Sequence, residues 1–251
     1  MKTLLLEEMS WPEIRDAIGS GMRTVVIYAG AIEQHGPHLS ENADTVRGYV
    51  EAEGLARRLG EALVAPVIRP GMSEHHIAFP GTVSLRAEVF AGVLEDYIDS
   101  YIRHGFDKIV CCCSHGGNSN VVESVVAEKK TQYPNVKFAT DNILAVLPAM
   151  LSAAEEREGL ESGVCGGHAD DFETSLMLNG CPEYVRMDKA ERGYIGKLDE
   201  AQMARIFSEG IAAISDNGIL GDASKATAER GSRYFNELMD VLEKSIKSQL
   251  V

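Results

Sequence analysis

Two apolar runs rich in β-branched or small residues set the strongest limits on the fold of this chain. They are Thr24–Ala29, which ends at a glycine, and Lys108–Cys113, which ends before a Ser-His-Gly-Gly-Asn segment. Continuous apolar runs of this kind are typical of strands buried on both faces of a parallel sheet. Each run leads through a loop to a stretch with helical spacing, over residues 45–60 and up to Gln132. The alternation predicts right-handed crossovers and a layered α/β/α domain with a mostly parallel sheet.

Further elements are predicted with less regular patterns. Strands are predicted at Leu63–Ile68, where Pro66 weakens the pattern, and at Val136–Ala139, and a helix over residues 86–104 ends at Gly105. Additional helices are predicted over residues 169–179 and 224–248. The charged residues 151–161 predict a solvated helix or flap.

Composition limits the classes of function. The chain has 251 residues, 45% of them hydrophobic, which is enough for the single domain over residues 1–251 that we expect. The net charge of −14 disfavours nucleic acid and anionic membranes as partners. No apolar run approaches the roughly 20 residues of a membrane span, and five cysteines, three of them adjacent, suit a reducing compartment. We therefore expect a cytoplasmic protein that acts on a small molecule.

Six of the seven histidines lie in loops that follow or interrupt apolar segments. His35 and His115 each follow a buried strand by a few residues, so a parallel sheet would place them side by side at one edge. Near His35 stand Glu33 and Asp44, and these are ligand types that Zn²⁺, Mn²⁺ and Fe²⁺ use. Asp44 has two oxygens with which to bridge two ions. In the alternative interpretation, Asp44 caps a helix that begins near residue 45, and Glu33 and His35 belong to a solvated loop.

The second histidine cluster is the His115-Gly116-Gly117 turn, where glycines let the backbone approach a ligand and free amides would hold an oxyanion. A similar turn occurs in serine esterases, but the chain has no Gly-x-Ser-x-Gly nucleophile motif. In the third cluster, helical spacing places Glu173 on an inward face, where a carboxylate needs a cation. His168, in a glycine-flanked loop, is a candidate mobile acid or base.

Several neighbouring residues have plainer interpretations. His38 is expected to be structural or to support the ligand residues from behind, and Asp170 and Asp171 are expected to be ordinary charges at a helix N-terminus. The segment Ser73 to His76 is either a loop that faces the substrate, through Ser73, His75 and His76, or a plain turn.

At these clusters the sequence resembles the creatininase (creatinine amidohydrolase) family, over most of residues 20–180. The resemblance rests on Glu-x-His-Gly-x-His with an Asp nine residues after the first His, on Phe-Pro-Gly-Thr at 79–82, and on the segments around His115 and His168. It implies a layered α/β/α fold, a binuclear metal hydrolase and an oligomer that is commonly a hexamer. By resemblance, the metal ligands are Glu33, His35, Asp44 and His115, with Asp44 bridging. Ser73 then contacts the substrate, and His168 is the catalytic histidine.

Two departures from creatininase stand out. Creatininase has a further metal-binding glutamate two residues after its equivalent of His115, and this chain has Gly117 there. The missing ligand is then replaced by Glu173, or the site holds one ion. Creatininase also closes tryptophans over its flat substrate, whereas the single tryptophan here is Trp11. Creatinine is therefore disfavoured, and other branches of the family include formamide deformylases, a peptide-trimming protease and hydrolases of inositol-derived cyclic ketones.

We expect a hydrolase with one or two divalent ions, Zn, Mn or Fe, in which His168 protonates the leaving group and the amides of Gly116 and Gly117 help to hold the charge. A small neutral cyclic amide or formamide is the expected substrate, since a site this rich in carboxylates disfavours anions. C–C cleavage of an inosose is the alternative, and a non-catalytic metabolite-binding protein is the second alternative.

Self-association is a separate expectation. Residues 201–220 carry more apolar side chains than one helix face needs, and we expect a homo-oligomer to cover them. They are Met203, Ile206, Phe207, Ile211 and Ile214. The alternative is an ordinary amphipathic core helix.

Overall fold

The computed structural model of the chain describes residues 3–141, 143–196 and 198–251. The strands of its central sheet are β1 (Thr24–Ala29), β2 (Ala62–Val64), β3 (Lys108–Cys113) and β4 (Lys137–Thr140). They are all parallel and lie in the order β2-β1-β3-β4. The predicted α/β class with a mostly parallel sheet is confirmed.

Helices cover both faces of the sheet, and a small second sheet follows it in the chain. The helices assigned within the described residues are α1 (Trp11–Gly19), α2 (Ala43–Leu59), α3 (Ala87–His104), α4 (Ser119–Gln132), α5 (Ile143–Glu158), α6 (Asp171–Gly180), α7 (Glu200–Glu209) and α8 (Ala228–Gln249). The second sheet is an antiparallel pair of β5 (Cys165–His168) and β6 (Leu220–Gly221). None of the helices described here has both the length and the apolar character needed to cross a membrane.

The central strands are buried on both faces because alternate side chains of a strand point to opposite sides. In β1, Val25 packs in a cluster with Phe90 of α3, whereas Val26 packs in a second cluster with Leu55 of α2. This two-sided burial explains why β1 and β3 are uninterrupted apolar runs in the sequence.

The register of the sheet brings two of the predicted ligand loops together. Ala29 at the end of β1 pairs with Cys113 at the end of β3, so the loops that follow leave the same edge side by side. Gly30 lets its loop lie close to α2, since a Cβ there would be 3.1 Å from Cα of Thr45. The sheet edge therefore carries Glu33, His35 and His115.

Three predictions about elements are wrong in part. Strand β2 ends at Val64, because Pro66 has no N–H with which to continue the ladder. The charged segment 151–161 is mostly the end of a longer helix, α5, and is not fully solvated, since Leu151 and Ala154 pack in the core. Residues 165–168 form strand β5, which the sequence pattern did not predict because two of its four residues are glycines.

The apolar stretch 201–220 does not form one helix. Helix α7 ends at Glu209, a short 3₁₀ turn follows over Ile211–Ala213, and the chain then enters β6. Ile206 and Ile211 are buried within the chain, whereas Met203 and Phe207 remain exposed. Fewer apolar side chains of this stretch are therefore exposed than the sequence predicts. Self-association stays a prediction.

Candidate metal centre

The structure brings five predicted ligand residues into one buried cluster with Asp44 at its middle. On one side, Nδ1 of His115 lies 3.1 Å from Oε1 of Glu33 and 3.5 Å from Oδ2 of Asp44. On the other side, Nε2 of His35 lies 3.5 Å from Oδ1 of Asp44 and 3.7 Å from Oε2 of Glu173. The two oxygens of Asp44 thus face two different halves of the cluster. We call these the His115 half (Glu33, Asp44, His115) and the His35 half (His35, Asp44, Glu173).

The alternative interpretation of the first loop is wrong. The N-cap position of α2 is Asn42, and Asp44 is the second helical residue, with its side chain turned into the cluster. Glu33 and His35 are each 1% exposed, so neither belongs to a solvated loop.

Backbone carbonyls fix the orientation of both cluster histidines. Nδ1–H of His35 donates to the carbonyl oxygen of Glu33 at 3.1 Å, and Nε2–H of His115 donates to the carbonyl oxygen of Met72 at 3.1 Å. In a neutral imidazole the second ring nitrogen then carries a lone pair. For both residues that nitrogen faces the carboxylates, which is the arrangement that orients histidines bound to metals.

The donor set fits a divalent cation. While the cluster histidines are neutral, Oε1 and Oε2 of Glu33 and Oδ2 of Asp44 are buried without a hydrogen-bond donor among the described residues. One ligand atom from each of Glu33, His35 and Asp44 lies within 4.8 Å of the others, and the same holds for His35, His168 and Glu173. Buried carboxylate oxygens without donors are costly unless a cation or proton compensates them. A cation between these side chains would supply that compensation.

Without a cation the cluster holds protons instead. Burial by itself lowers the pKa of a histidine, but Asp44, Glu173 and Glu33 raise the pKa of His35 to about 10. Against the same effect of burial, Glu33 and Asp44 raise the pKa of His115 to about 9. The field of these histidines keeps the pKa of Glu33 and of Asp44 below its ordinary value, although burial opposes this. Both carboxylates are therefore ionised and ready to bind a cation.

His168 lies at the end of β5, next to both halves. Its Nε2–H donates to the carbonyl oxygen of Gln34 at 2.9 Å, and its Nδ1 lies 3.9 Å from oxygens of Glu33 and Glu173. His168 thus belongs to a strand and not to the predicted loop, and its side chain is buried and hydrogen-bonded. Burial and the nearby His35 lower its pKa, so His168 is a neutral base with its lone pair directed at the cluster.

Gln34 orders the histidines around it and was not identified from the sequence. Its side-chain NH₂ donates to Nδ1 of His76 at 2.9 Å and to the carbonyl oxygen of Gly218 at 3.1 Å, and its Oε1 accepts from the amide of Gly36. All its hydrogen-bonding groups are thus used, and together with its carbonyl they hold His76 and His168. Its position inside the Glu-Gln-His motif was the available signal.

Arg47 and Glu51 were also missed. Arg47 lies one turn after Asp44 on α2, and its guanidinium contacts Asp44, Glu51 and Glu173. Glu51 is buried one further turn along, and burial raises its pKa to about 7 against the effect of Arg47. Charges at spacings of three and four residues on one helix face were the signal, but such patterns are also common on solvated helices.

Gly117 occupies a place that has no room for a side chain. A Cβ at this position would overlap Nε2 of His115 and the carbonyl oxygen of Met72, the two atoms of the hydrogen bond that orients His115. The glutamate that creatininase has at this point would not fit this backbone. Glu173 faces His35 from α6, with Oε2 3.7 Å from Nε2, and its role as the replacing ligand stays a prediction.

The loop around residue 73 forms one wall of the site. His76 is buried, with Nε2 3.5 Å from Oε1 of Glu33, whereas His75 lines an open cleft. Ser73 is fully buried, and its Oγ is without a hydrogen-bond partner among the described residues. The cleft measures about 410 Å³, and its walls include Met72, His75, Ser84, Arg86, Gly117 and Phe207. The ring of His75 stacks on that of His115, with centroids 5.6 Å apart, so the cleft lies next to the His115 half.

His38, Asp170 and Asp171 contact the elements that carry the ligand residues and help to hold them in place. Nε2 of His38 lies 2.8 Å from Oγ1 of Thr174, which confirms its structural place. Asp170 caps α6 by accepting from the amide of Glu173, and Asp171 forms a buried ion pair with Arg230 of α8. Together they fix the start of α6 and hence the position of Glu173.

The chain is thus an α/β/α protein with a buried centre of histidines and carboxylates at the carboxyl edge of its parallel sheet. The sequence profile described as creatininase (creatinine amidohydrolase) matches residues 7–246. The chain belongs to the creatininase family of hydrolases.

Individual relatives carry different activities. The mycofactocin precursor peptide peptidase of Mycolicibacterium smegmatis is 32% identical over 228 residues, which cover 89% of this chain and 84% of the relative. The creatinine amidohydrolase of Pseudomonas putida is 29% identical over 198 residues, covering 75% and 76%. Among solved structures, a creatininase variant of Zn–Zn type superposes with a TM-score of 0.84 at 24% identity and covers 100% of this chain and 99% of its own. The superposition supports the fold.

Proposed function

We propose that the protein is a divalent-metal hydrolase that cleaves an amide C–N bond. The observation that carries this proposal is the set of buried carboxylate oxygens without donors, flanked by two histidines whose free nitrogens face them. The His115 half would hold one ion and the His35 half a second, from Zn, Mn or Fe. When bound, the metal lowers the pKa of a coordinated water to about 7 and polarises the substrate carbonyl.

His168 is the group that moves the proton. Its neutral Nδ1 accepts the proton that the attacking water loses and returns it to the leaving nitrogen, while the carbonyl oxygen of Gln34 holds Nε2–H in place. The amides of Gly116 and Gly117, in the turn before α4, are the proposed donors to the carbonyl oxygen as it gains charge.

For the substrate we propose a small neutral amide, either cyclic or a formamide. Three carboxylates lie in the cluster, and the chain has a net charge of −14, so an anionic substrate would meet repulsion at the site. His75 on the wall of the cleft is the proposed polar contact, with Ser73 and His76 behind it.

A peptide amide is the second candidate. Two observations favour it: the cleft is open beside Phe207, which is 61% exposed, and a relative with 32% identity is a peptidase. A cleft that no tryptophan closes has room for substituents on either side of the bond.

The decisive experiment assays manganese-reconstituted protein side by side on creatinine, a formamidopyrimidine, a short peptide and an inosose. Turnover of an amide supports the proposal, and preference for the inosose would replace it with C–C cleavage. Asp44→Ala should abolish both ion binding and turnover, whereas His168→Asn should keep the ions and lower kcat by about 10²- to 10⁴-fold. Absence of stoichiometric metal in the purified protein, with Asp44→Ala fully active, would contradict the proposal. Ligand protection without turnover would instead indicate a binding protein.

A further inference from the structure

Arg47 connects the three segments that carry the candidate ligands. Its side chain is 13% exposed, and Nη2 donates to Oδ1 of Asp44 at 3.0 Å and to Oε1 of Glu173 at 3.1 Å. Nη2 also donates to the carbonyl oxygen of Ser114, the residue before His115. One fixed positive charge therefore lies directly behind the cluster.

The charge of Arg47 falls unequally on the two halves of the cluster. The oxygen of Asp44 that Arg47 contacts is Oδ1, which also faces His35, whereas Oδ2 faces His115. Glu173, its other carboxylate partner there, belongs to the His35 half alone. A guanidinium this close repels a divalent cation in that half and withdraws charge from two of its three ligands.

The ligands of the His35 half are held in place by other contacts as well. The amide of Ala169 donates to Oε2 of Glu173 at 2.7 Å, and Asp170 accepts from the Glu173 amide at 2.8 Å. Ala169 has a φ of 52°, a strained value for a residue other than glycine, and this conformation accompanies the contact of its N–H with Glu173. Loss of Arg47 would thus change the charge of this half more than its geometry.

Glu51 contacts the Nη1 atom of Arg47, whereas Asp44 and Glu173 contact Nη2. Oε1 of Glu51 accepts from Nη1 at 2.9 Å, and its side chain is 3% exposed. In its ionised form, which prevails above its pKa of about 7, Glu51 offsets part of the guanidinium charge that the His35 half experiences.

We propose that Arg47 is a positioning residue that makes the two ion positions unequal, so that the His35 half binds its ion more weakly than the His115 half, and that Glu51 restrains this effect. The inference rests on the proposed metal site and concerns how that site is tuned. It predicts opposite changes in the affinity for the second ion when Arg47 or Glu51 is neutralised. Loss of Arg47 removes a positive charge near that ion, whereas loss of Glu51 removes a negative one.

The test is a Mn²⁺ titration of chelator-stripped protein, with free Mn²⁺ followed by electron paramagnetic resonance. The wild type should bind one ion tightly and a second ion measurably more weakly. Arg47→Met should tighten the second ion about tenfold or more, and Glu51→Gln should weaken it further. Arg57→Met removes an exposed ion pair on the same helix, with Glu53, and should leave both dissociation constants unchanged.

The outcomes separate the two proposals. If the wild type binds no Mn²⁺, the proposed function fails. If it binds Mn²⁺ but the Arg47→Met and Glu51→Gln variants shift the second dissociation constant in the same direction, or not at all, the Arg47 inference is overturned and the metal site remains. If Arg47→Met lacks a cooperative melt, Glu51→Gln decides alone: weaker second binding supports the inference, and unchanged or tighter binding contradicts it.

Discussion

At the scale of single residues, His35 and His115 link the stability of the site to pH. Their pKa values in the folded, metal-free protein, about 10 and about 9, lie above the usual value near 6.5. A histidine whose pKa is raised by folding stabilises the folded state fully below its unfolded pKa, and the effect is lost as pH rises through the folded pKa. The metal-free protein therefore loses this stabilisation between about pH 6.5 and pH 10.

A metal ion has to displace those protons, so its binding should strengthen as the pH rises. We predict that saturating Mn²⁺ raises Tm more at pH 8 than at pH 6, and differential scanning fluorimetry with and without Mn²⁺ measures this. Asp44→Ala should show no Mn²⁺-dependent shift at either pH. Equal shifts of the wild type at both pH values would contradict the assignment of His35 and His115 as ligands.

Gly117 provides a second test at this scale. We predict that Gly117→Ala weakens Mn²⁺ binding about tenfold or more, because its Cβ displaces the ring of His115 from the hydrogen bond with Met72. The matched control is Gly116→Ala, whose Cβ would meet only the flexible end of Leu144, at 3.2 Å. Mn²⁺ titration of both variants measures the difference, and equal binding by the two would show that the Gly117 contact is unimportant.

At the scale of elements, the position of Glu173 depends on how α6 is anchored to α8. Asp171 at the start of α6 is fully buried, and it accepts from Arg230 at 2.7 Å and from Tyr234 OH at 3.1 Å. Both donors belong to α8, so one carboxylate joins the two helices. Loss of this carboxylate would leave a guanidinium and a phenol without their partner.

We predict that Asp171→Ala lowers the free energy of unfolding by about 2 to 3 kcal/mol, near the lower end of the range for breaking a buried pair, because Arg230 is 14% exposed. Urea denaturation measures the change. Glu209→Ala removes an exposed pair with Arg205 on α7 and should cost less than about 0.5 kcal/mol. If both variants lose the same small amount, Asp171 does not anchor α6.

At the scale of the whole molecule, the exposed side chains of α7 provide the test of self-association. Met203 and Phe207 of α7 remain exposed, and Phe207 lines the cleft, whereas Ile206 packs in the core. We predict a homo-oligomer in solution, with a mass by light scattering that is a multiple of 27.2 kDa. Phe207→Asp, if α7 lies in the contact, should shift the protein toward the monomer. A 27.2 kDa particle for the wild type at micromolar concentration would rule out the oligomer.

Local patterns were sufficient to predict the two central strands and the main ligand loops. Strands β1 and β3 are buried on both faces and therefore appear as continuous apolar runs with the predicted bounds. The carboxyl ends of neighbouring parallel strands meet at one edge, so the proximity of His35 and His115 followed from strand order alone.

Local patterns did not predict which charged side chains lie next to one another, because that depends on how distant segments pack. Arg47 and Glu173 are 126 positions apart, and no periodicity indicates that α6 returns to place one beside the other. The surroundings of Gly117, which are atoms of His115 and Met72, depend on the tertiary structure in the same way. So does Gln34, which hydrogen-bonds to His76 and His168 in two separate segments of the chain. Local propensity acts over a few residues, whereas the charge balance of a buried site depends on every segment that packs around it.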